Sequence, residues 1–203
     1  MFIQVMQGRC HRQDEMRALG DRWIREVAPG AIGWLGGTFG FTDDGEMIAV
    51  VRFDSEESAR DNAARPEQQA WWNEAEALYD GPVEFHDCSR VVMMMDGGSD
   101  EAGFVQVLRG RLDDPDALES GMREMETMLH DARPEILGAT FAIEPDGTFI
   151  ETVSFTDEAA AREGESKAMP ASGPEHDRLK AFWESIHDVE FKDLHQPWFT
   201  SRA

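Results

Sequence analysis

The sequence predicts an α+β chain made of two βαββαβ repeats, and three observations carry that reading. First, Phe2-Ile3-Gln4-Val5-Met6-Gln7-Gly8-Arg9 returns as Phe104-Val105-Gln106-Val107-Leu108-Arg109-Gly110-Arg111, with roughly 18 identities over about 60 residues at an offset of 102. A period of about 100 residues is the size of a small domain. Second, period-2 and period-3.6 apolar patterns alternate in the same order after each copy. Third, the first strand is apolar on both parities, Ile3 and Val5 on one side and Phe2 and Met6 on the other, as in a strand covered on both faces.

The first strand runs from Phe2 to Arg9. Asp14, Met16, Leu19, Trp23, Ile24 and Val27 then mark an amphipathic helix that Pro29-Gly30 stops. Strands follow at Trp34–Phe41 and Met47–Phe53, joined by Asp43-Asp44-Gly45 as a hairpin turn. Ser55-Glu56-Glu57-Ser58 is a capping signal for a helical stretch that Pro66 restarts and that reaches toward Tyr79. Gly81-Pro82 breaks it before a fourth strand, expected from Val83 to about Met95. The second copy repeats this series with strands at Phe104–Arg111, Leu137–Ile143, Thr148–Phe155 and Val189–Leu194. Its helices are expected over Asp116–Leu129 and up to His187, with a small-residue insertion, Glu165 to Gly173, read as a loop. The division is therefore 1–95, a flexible linker at 96–103, and 104–203. This arrangement is ferredoxin-like, with both helices on one face of each sheet. The doubly apolar strands predict the two sheets packed face to face as an intrachain pseudo-dimer.

Composition excludes several functions. Forty-one acidic against 19 basic residues give a net charge of −22, which repels a phosphate backbone and an acidic membrane surface. No apolar run reaches the ~20 residues of a membrane helix, and the first residues lack the pattern of a secretory signal. Cys10 and Cys88 do not make a disulfide framework and are expected to be reduced. A cytoplasmic protein is expected, with higher oligomers left open.

The topology, the Phe-Asp-Ser-Glu-Glu-Ser-Ala run at 53–59 and the tandem copies resemble the dimeric α/β-barrel superfamily, and within it the antibiotic-biosynthesis-monooxygenase-like domains. The resemblance spans nearly the whole chain twice. It implies a barrel made from two such domains with a cavity in each half, and a host of chemistries that the fold alone does not select. One branch of that superfamily degrades haem through a histidine on the second helix. The first half carries Gln68, Gln69, Trp71 and Trp72 there, and only His176 in the second half lies near such a position, so no cofactor is expected and haem is disfavoured.

Differences between the copies point to candidate residues. Trp71, Ala75 and Leu78 align with Leu179, Trp183 and Ile186 as an expected core stripe, whereas Trp72 aligns with Lys180 and so suits a cavity mouth or a subunit contact. His86 aligns with Lys192 and is expected to face solvent, yet it and His187 are the candidate acid–base residues. In a strand Asp87 points away from His86 and Cys88, which argues against a three-ligand metal site. Gln4 and Gln106, retained amides in apolar strands, either bond across the seam or face a cavity. Arg9 and Arg111 are expected to pair with Asp87 and Asp193 on the neighbouring fourth strands. The functional expectation is a monooxygenase-like enzyme or binder for an apolar or aromatic small molecule, held between sheet and helices by Trp72, Trp34, Gln4 and Gln106. The rival is a non-catalytic module for binding or assembly. The first half, with Trp23, Trp34, Trp71 and Trp72, is the favoured one.

Overall fold

Alternating apolar residues do form the strands expected of them. β1 (Phe2–Arg9) is followed by α1 (Gln13–Glu26), whose Met16 and Leu19 are buried. β2 (Trp34–Phe41) and β3 (Glu46–Phe53) make a hairpin turned by Gly45 at φ +83°. Ser55 caps α2 (Glu56–Ala63) by accepting a hydrogen bond from the Ser58 amide, and Pro66 opens α3 (Pro66–Glu76). β4 (Glu84–Cys88) closes this first series and β5 (Arg90–Met94) opens the next. There follow β6 (Phe104–Leu112), α4 (Pro115–Ala132), β7 (Ile136–Ile143), β8 (Thr148–Phe155), α5 (Glu158–Ser166), α6 (Pro174–Glu184), β9 (Ile186–Leu194) and β10 (Trp198–Ser201). This computed structural model describes residues 1–167 and 173–201, apart from the side chains at 117, 123–125, 127–128, 174–175 and 178–179. Most of the expected insertion lies outside the described residues, α5 continuing through its first two residues.

Two five-stranded antiparallel sheets result, ordered β10-β2-β3-β1-β4 and β5-β7-β8-β6-β9. Four strands of each follow the ferredoxin-like order, and each sheet gains a fifth at its edge. Those fifth strands correct the expected boundaries. The strand read as Val83–Met95 divides at Ser89: β4 pairs with β1, whereas β5 pairs with β7. The unpredicted β10 pairs with β2. The chain accordingly forms one unit of Met1–Ser89 with the segment from Gln196, and a second of Arg90–His195.

The expected linker is an ordered turn of the second unit. Met95, Asp96 and Gly97 are all left-handed, and the Ser99 amide donates to Ser154 Oγ. The turn passes so close to Gly138 that a Cβ there would lie 1.4 Å from the Gly97 carbonyl oxygen, which only glycine permits.

The register of β4 also differs from expectation. Asp87 stands opposite Gln4, not Arg9, and Gln4 Nε2 donates to Asp87 Oδ1 at 2.7 Å. Gln106 Nε2 donates to Asp193 Oδ1 at 3.1 Å in the second unit. Arg9 and Arg111 instead approach the hairpin-turn residues Asp44 and Asp146, at 3.9 and 3.5 Å. A five-residue strand has freedom to slide, and the amide–carboxylate pair sets its position. Trp183, expected in the core, is 44% exposed, whereas Ala75, with which it aligns, is buried. The side chain of its stripe neighbour Leu179 lies outside the described residues.

Candidate functional site

The helix-facing side of the first sheet reads as rungs. Asp87, Gln4, Val51, Gly37 and Thr200 share one, and Phe85, Met6, Ala49, Phe39 and Trp198 the next. At the centre of the second rung is Ala49; Val51 is at the centre of the first, with Gly37 beside it. The small side chain of Ala49 leaves a hollow in the middle of the floor, whereas the Phe39 ring covers Gly37.

Helices α1 and α3 roof that floor with aromatic rings. Trp23 meets Trp34 edge-on at 5.0 Å between centroids and Trp71 at 6.4 Å, and the series continues through Trp72 to Tyr79 and Phe85. Two indoles are fixed by hydrogen bonds: Trp23 Nε1 donates to Gln68 Oε1 at 2.6 Å and Trp71 Nε1 to the Leu19 carbonyl at 2.9 Å. On the far edge Trp198 stacks on Phe39 and lies under the Arg17 guanidinium, 4.0 Å from the indole centroid. Between floor and roof is a cavity of about 250 Å³, lined entirely by residues of the first unit.

Its polar groups are few. The Tyr79 hydroxyl has no hydrogen-bond partner among the described residues, and burial pushes the phenol well above its ordinary pKa, so it remains a donor. Thr200 Oγ1 is buried without a partner among the described residues. The amides of Gln4, Asn62, Gln68 and Gln69, each already engaged on one side, and the carboxylate of Asp21 complete the set. Among the described residues the lining includes no histidine and no cysteine.

Of the residues singled out from sequence, Trp72, Trp34 and Gln4 line this cavity. His86 does not. It stands opposite Val5 with Cys88 opposite Ile3, on the sheet face turned away from the helices, and it is buried rather than solvent-facing. As a candidate base for this cavity it is corrected: alternation along β4 places Phe85, not His86, on the cavity side. His187 lies at the start of β9 in the second unit, half-exposed, with Nε2 2.8 Å from Asp113 Oδ2. The first unit holds a similar pair with the partners exchanged, His11 Nδ1 2.6 Å from Asp80 Oδ2, and so this pairing ties the end of the first strand to the end of the second helical stretch. Gln106 is buried in the second unit between Asp193 and Glu165. Sequence reading missed Trp198 and Thr200, which come from a four-residue strand, and Tyr79 and Phe85 as lining residues.

No protein-family model and no curated protein sequence matches the chain. Solved structures do. A provisionally named monooxygenase from Lactobacillus acidophilus NCFM superposes with a TM-score of 0.72 at 10% identity, over 97% of this chain and 95% of that one. One from Fusobacterium nucleatum gives 0.71 at 8% identity, over 100% and 94%. An anthrone oxidase-like protein gives 0.66 at 8% identity, over 98% and 92%. The fold of each unit and their order along the chain are those of these monooxygenase-like proteins. At such identities the likeness is one of fold, and these neighbours share its whole two-unit length. No described helix is long and apolar enough to cross a membrane.

Proposed function

We propose that the first unit binds a flat, apolar aromatic small molecule in the cavity between its sheet and helices, as a monooxygenase-like enzyme or binder. One observation carries this reading: a cavity of about 250 Å³ whose floor is hollowed at Ala49 and whose walls are five tryptophans, Trp23, Trp34, Trp71, Trp72 and Trp198. Aromatic walls hold flat ligands by burial and offset stacking, while a few unmet polar groups set orientation. The Tyr79 hydroxyl can donate to an oxygen on the ligand, and Thr200 Oγ1 can meet a second polar group at the opposite edge.

With Asp21 as the one carboxylate and no histidine in the described lining, the acidity needed for cofactor-free oxygenation would come from the substrate. An electron-rich phenol supplies it, and the protein supplies a dry, oriented pocket. The test is titration with a tricyclic phenol followed by tryptophan fluorescence, with an oxygen electrode to register turnover. Quenching should saturate, and Trp72→Ala should weaken it far more than Trp183→Ala. Equal effects from the two variants would refute this site.

A further inference from the structure

Gln4 and Asp87 stand side by side on the rung next to the hollow at Ala49. Gln4 faces Val51 across the ladder, and Ala49 is its diagonal neighbour on β3, at the usual separation of about 7–8 Å. The floor around it is apolar: Met6, Ala49, Val51, Phe53 and Phe85 line the same cavity. Among the described residues only Gln4 and, at the opposite edge, Thr200 bring an amide or a hydroxyl from the sheet to that lining. Gln4 is half-buried, with Asp87 beside it reaching solvent.

The partner decides which end of the amide is which. A carboxylate only accepts, so the Gln4 atom 2.7 Å from Asp87 Oδ1 is Nε2, and Oε1 is the limb turned from the β4 edge. Hydrogen bonds in series polarise one another, so a carboxylate on the N–H strengthens the amide oxygen as an acceptor. The amides of the helix side are set the other way. Gln68 Oε1 accepts from Trp23 Nε1 and Asn62 Oδ1 from Arg65 Nη1, groups that only donate, and so these two amides offer N–H to the cavity. Asp21 and Gln69, which bring acceptors from the helices, are exposed residues, where water competes for them.

We propose that Gln4, oriented by Asp87, is the specificity-determining residue of the cavity, its Oε1 accepting a hydrogen bond from the hydroxyl of a bound phenol. The inference rests on the reading of the first unit's cavity as a ligand site, and adds which way the ligand lies in it. The ring covers Ala49, its hydroxyl points to the β1–β4 edge, and its apolar body meets the indoles of the roof. A phenolic O–H satisfies the amide oxygen; an aryl ether in the same place sets lone pair against lone pair and leaves that oxygen unmet. The second N–H of Nε2 would serve phenol and ether alike and so would not discriminate between them. Gln4 takes no proton, and the O–H bond of the ligand stays intact on binding.

The experiment is calorimetric titration of the full chain at pH 7 with 2-naphthol and with 2-methoxynaphthalene. Gln4→Leu should weaken 2-naphthol about tenfold, the effect of one hydrogen bond, and leave the ether bound as tightly or more so. Asp87→Asn, at an exposed position, frees the amide to turn over and should narrow the difference between the two ligands even if Gln4→Leu does not fold. Equal losses of both ligands in Gln4→Leu would mean a merely structural role and overturn the proposal. So would a wild-type ratio of the two affinities kept in that variant, or a ratio removed by Asp21→Asn and not by Gln4→Leu; in each case the cavity would still stand as the site. If neither ligand binds, or if Ala49→Leu leaves both unaffected, the cavity reading falls and the proposal with it.

Discussion

Gln4 Nε2 donates to Asp87 Oδ1 at 2.7 Å across the β1–β4 ladder. This contact holds the short edge strand in the register that brings Phe85 to the cavity and turns His86 away from it. A double-mutant cycle between Gln4→Leu and Asp87→Asn should show coupling of about 0.5–1 kcal/mol in urea unfolding. The same cycle between Arg9 and Asp87 should show none.

Tyr79 lies over Gly8 so closely that a Cβ at Gly8 would stand 2.9 Å from its ring. The Pro82 carbonyl oxygen would stand 3.3 Å from the same Cβ. Gly8→Ala should therefore cost roughly 1–3 kcal/mol, the range of overpacked cores. It should also displace the Tyr79 hydroxyl and weaken ligand binding, which a thermal melt and a fluorescence titration would register together.

Glu151 makes stability fall with rising pH. Its folded pKa, raised by burial to about 8, lies above the ordinary value of 4.5. Below about pH 4.5 the carboxyl is protonated in both states and no stability is lost; from there to about pH 8 the folded state binds more protons than the unfolded one, so stability declines as pH rises. Glu151→Gln should thus stabilise the chain at pH 7, on the order of 3 kcal/mol at most, and change little at pH 4. Melting curves at the two pH values check this, and an equal effect at both would contradict it.

Much of this fold was legible because the physics is local. Trp34–Phe41 and Thr148–Phe155 were read at their observed bounds from alternation and turn residues, and Ser55 and Pro66 from cap chemistry. The fifth strands were not legible. Pairing of Trp198–Ser201 with Trp34–Phe41 joins residues far apart in sequence, and four residues carry too little periodicity to announce it. The same limit hid the break at Ser89. Trp72 and Trp34 were legible as lining residues, since tryptophan is plentiful in one half and replaced in the other. His86 was misplaced because its alignment with Lys192 suggested an exposed face, whereas alternation from Phe85 decides the face and the register was not yet known. Glu151 carried a signal that went unread: it breaks the apolar parity of Phe149, Val153 and Phe155 in the middle of a strand.

Removing the chain after His195 tests the role of the late strand. Trp198 and Thr200 leave the cavity and the β2 edge loses its partner. Phenol binding should fall by about tenfold or more. Unchanged quenching would show that β10 is dispensable to the site.

The most direct test of the central claim is to fill the cavity and ask whether binding disappears. Ala49 lies at the middle of its floor, between Met6 and Phe39. Ala49→Leu should occupy the space that the ligand needs, so that saturable quenching of tryptophan fluorescence by the tricyclic phenol is lost while the melting temperature holds or rises. Quenching of unchanged affinity in a folded Ala49→Leu protein would contradict the account.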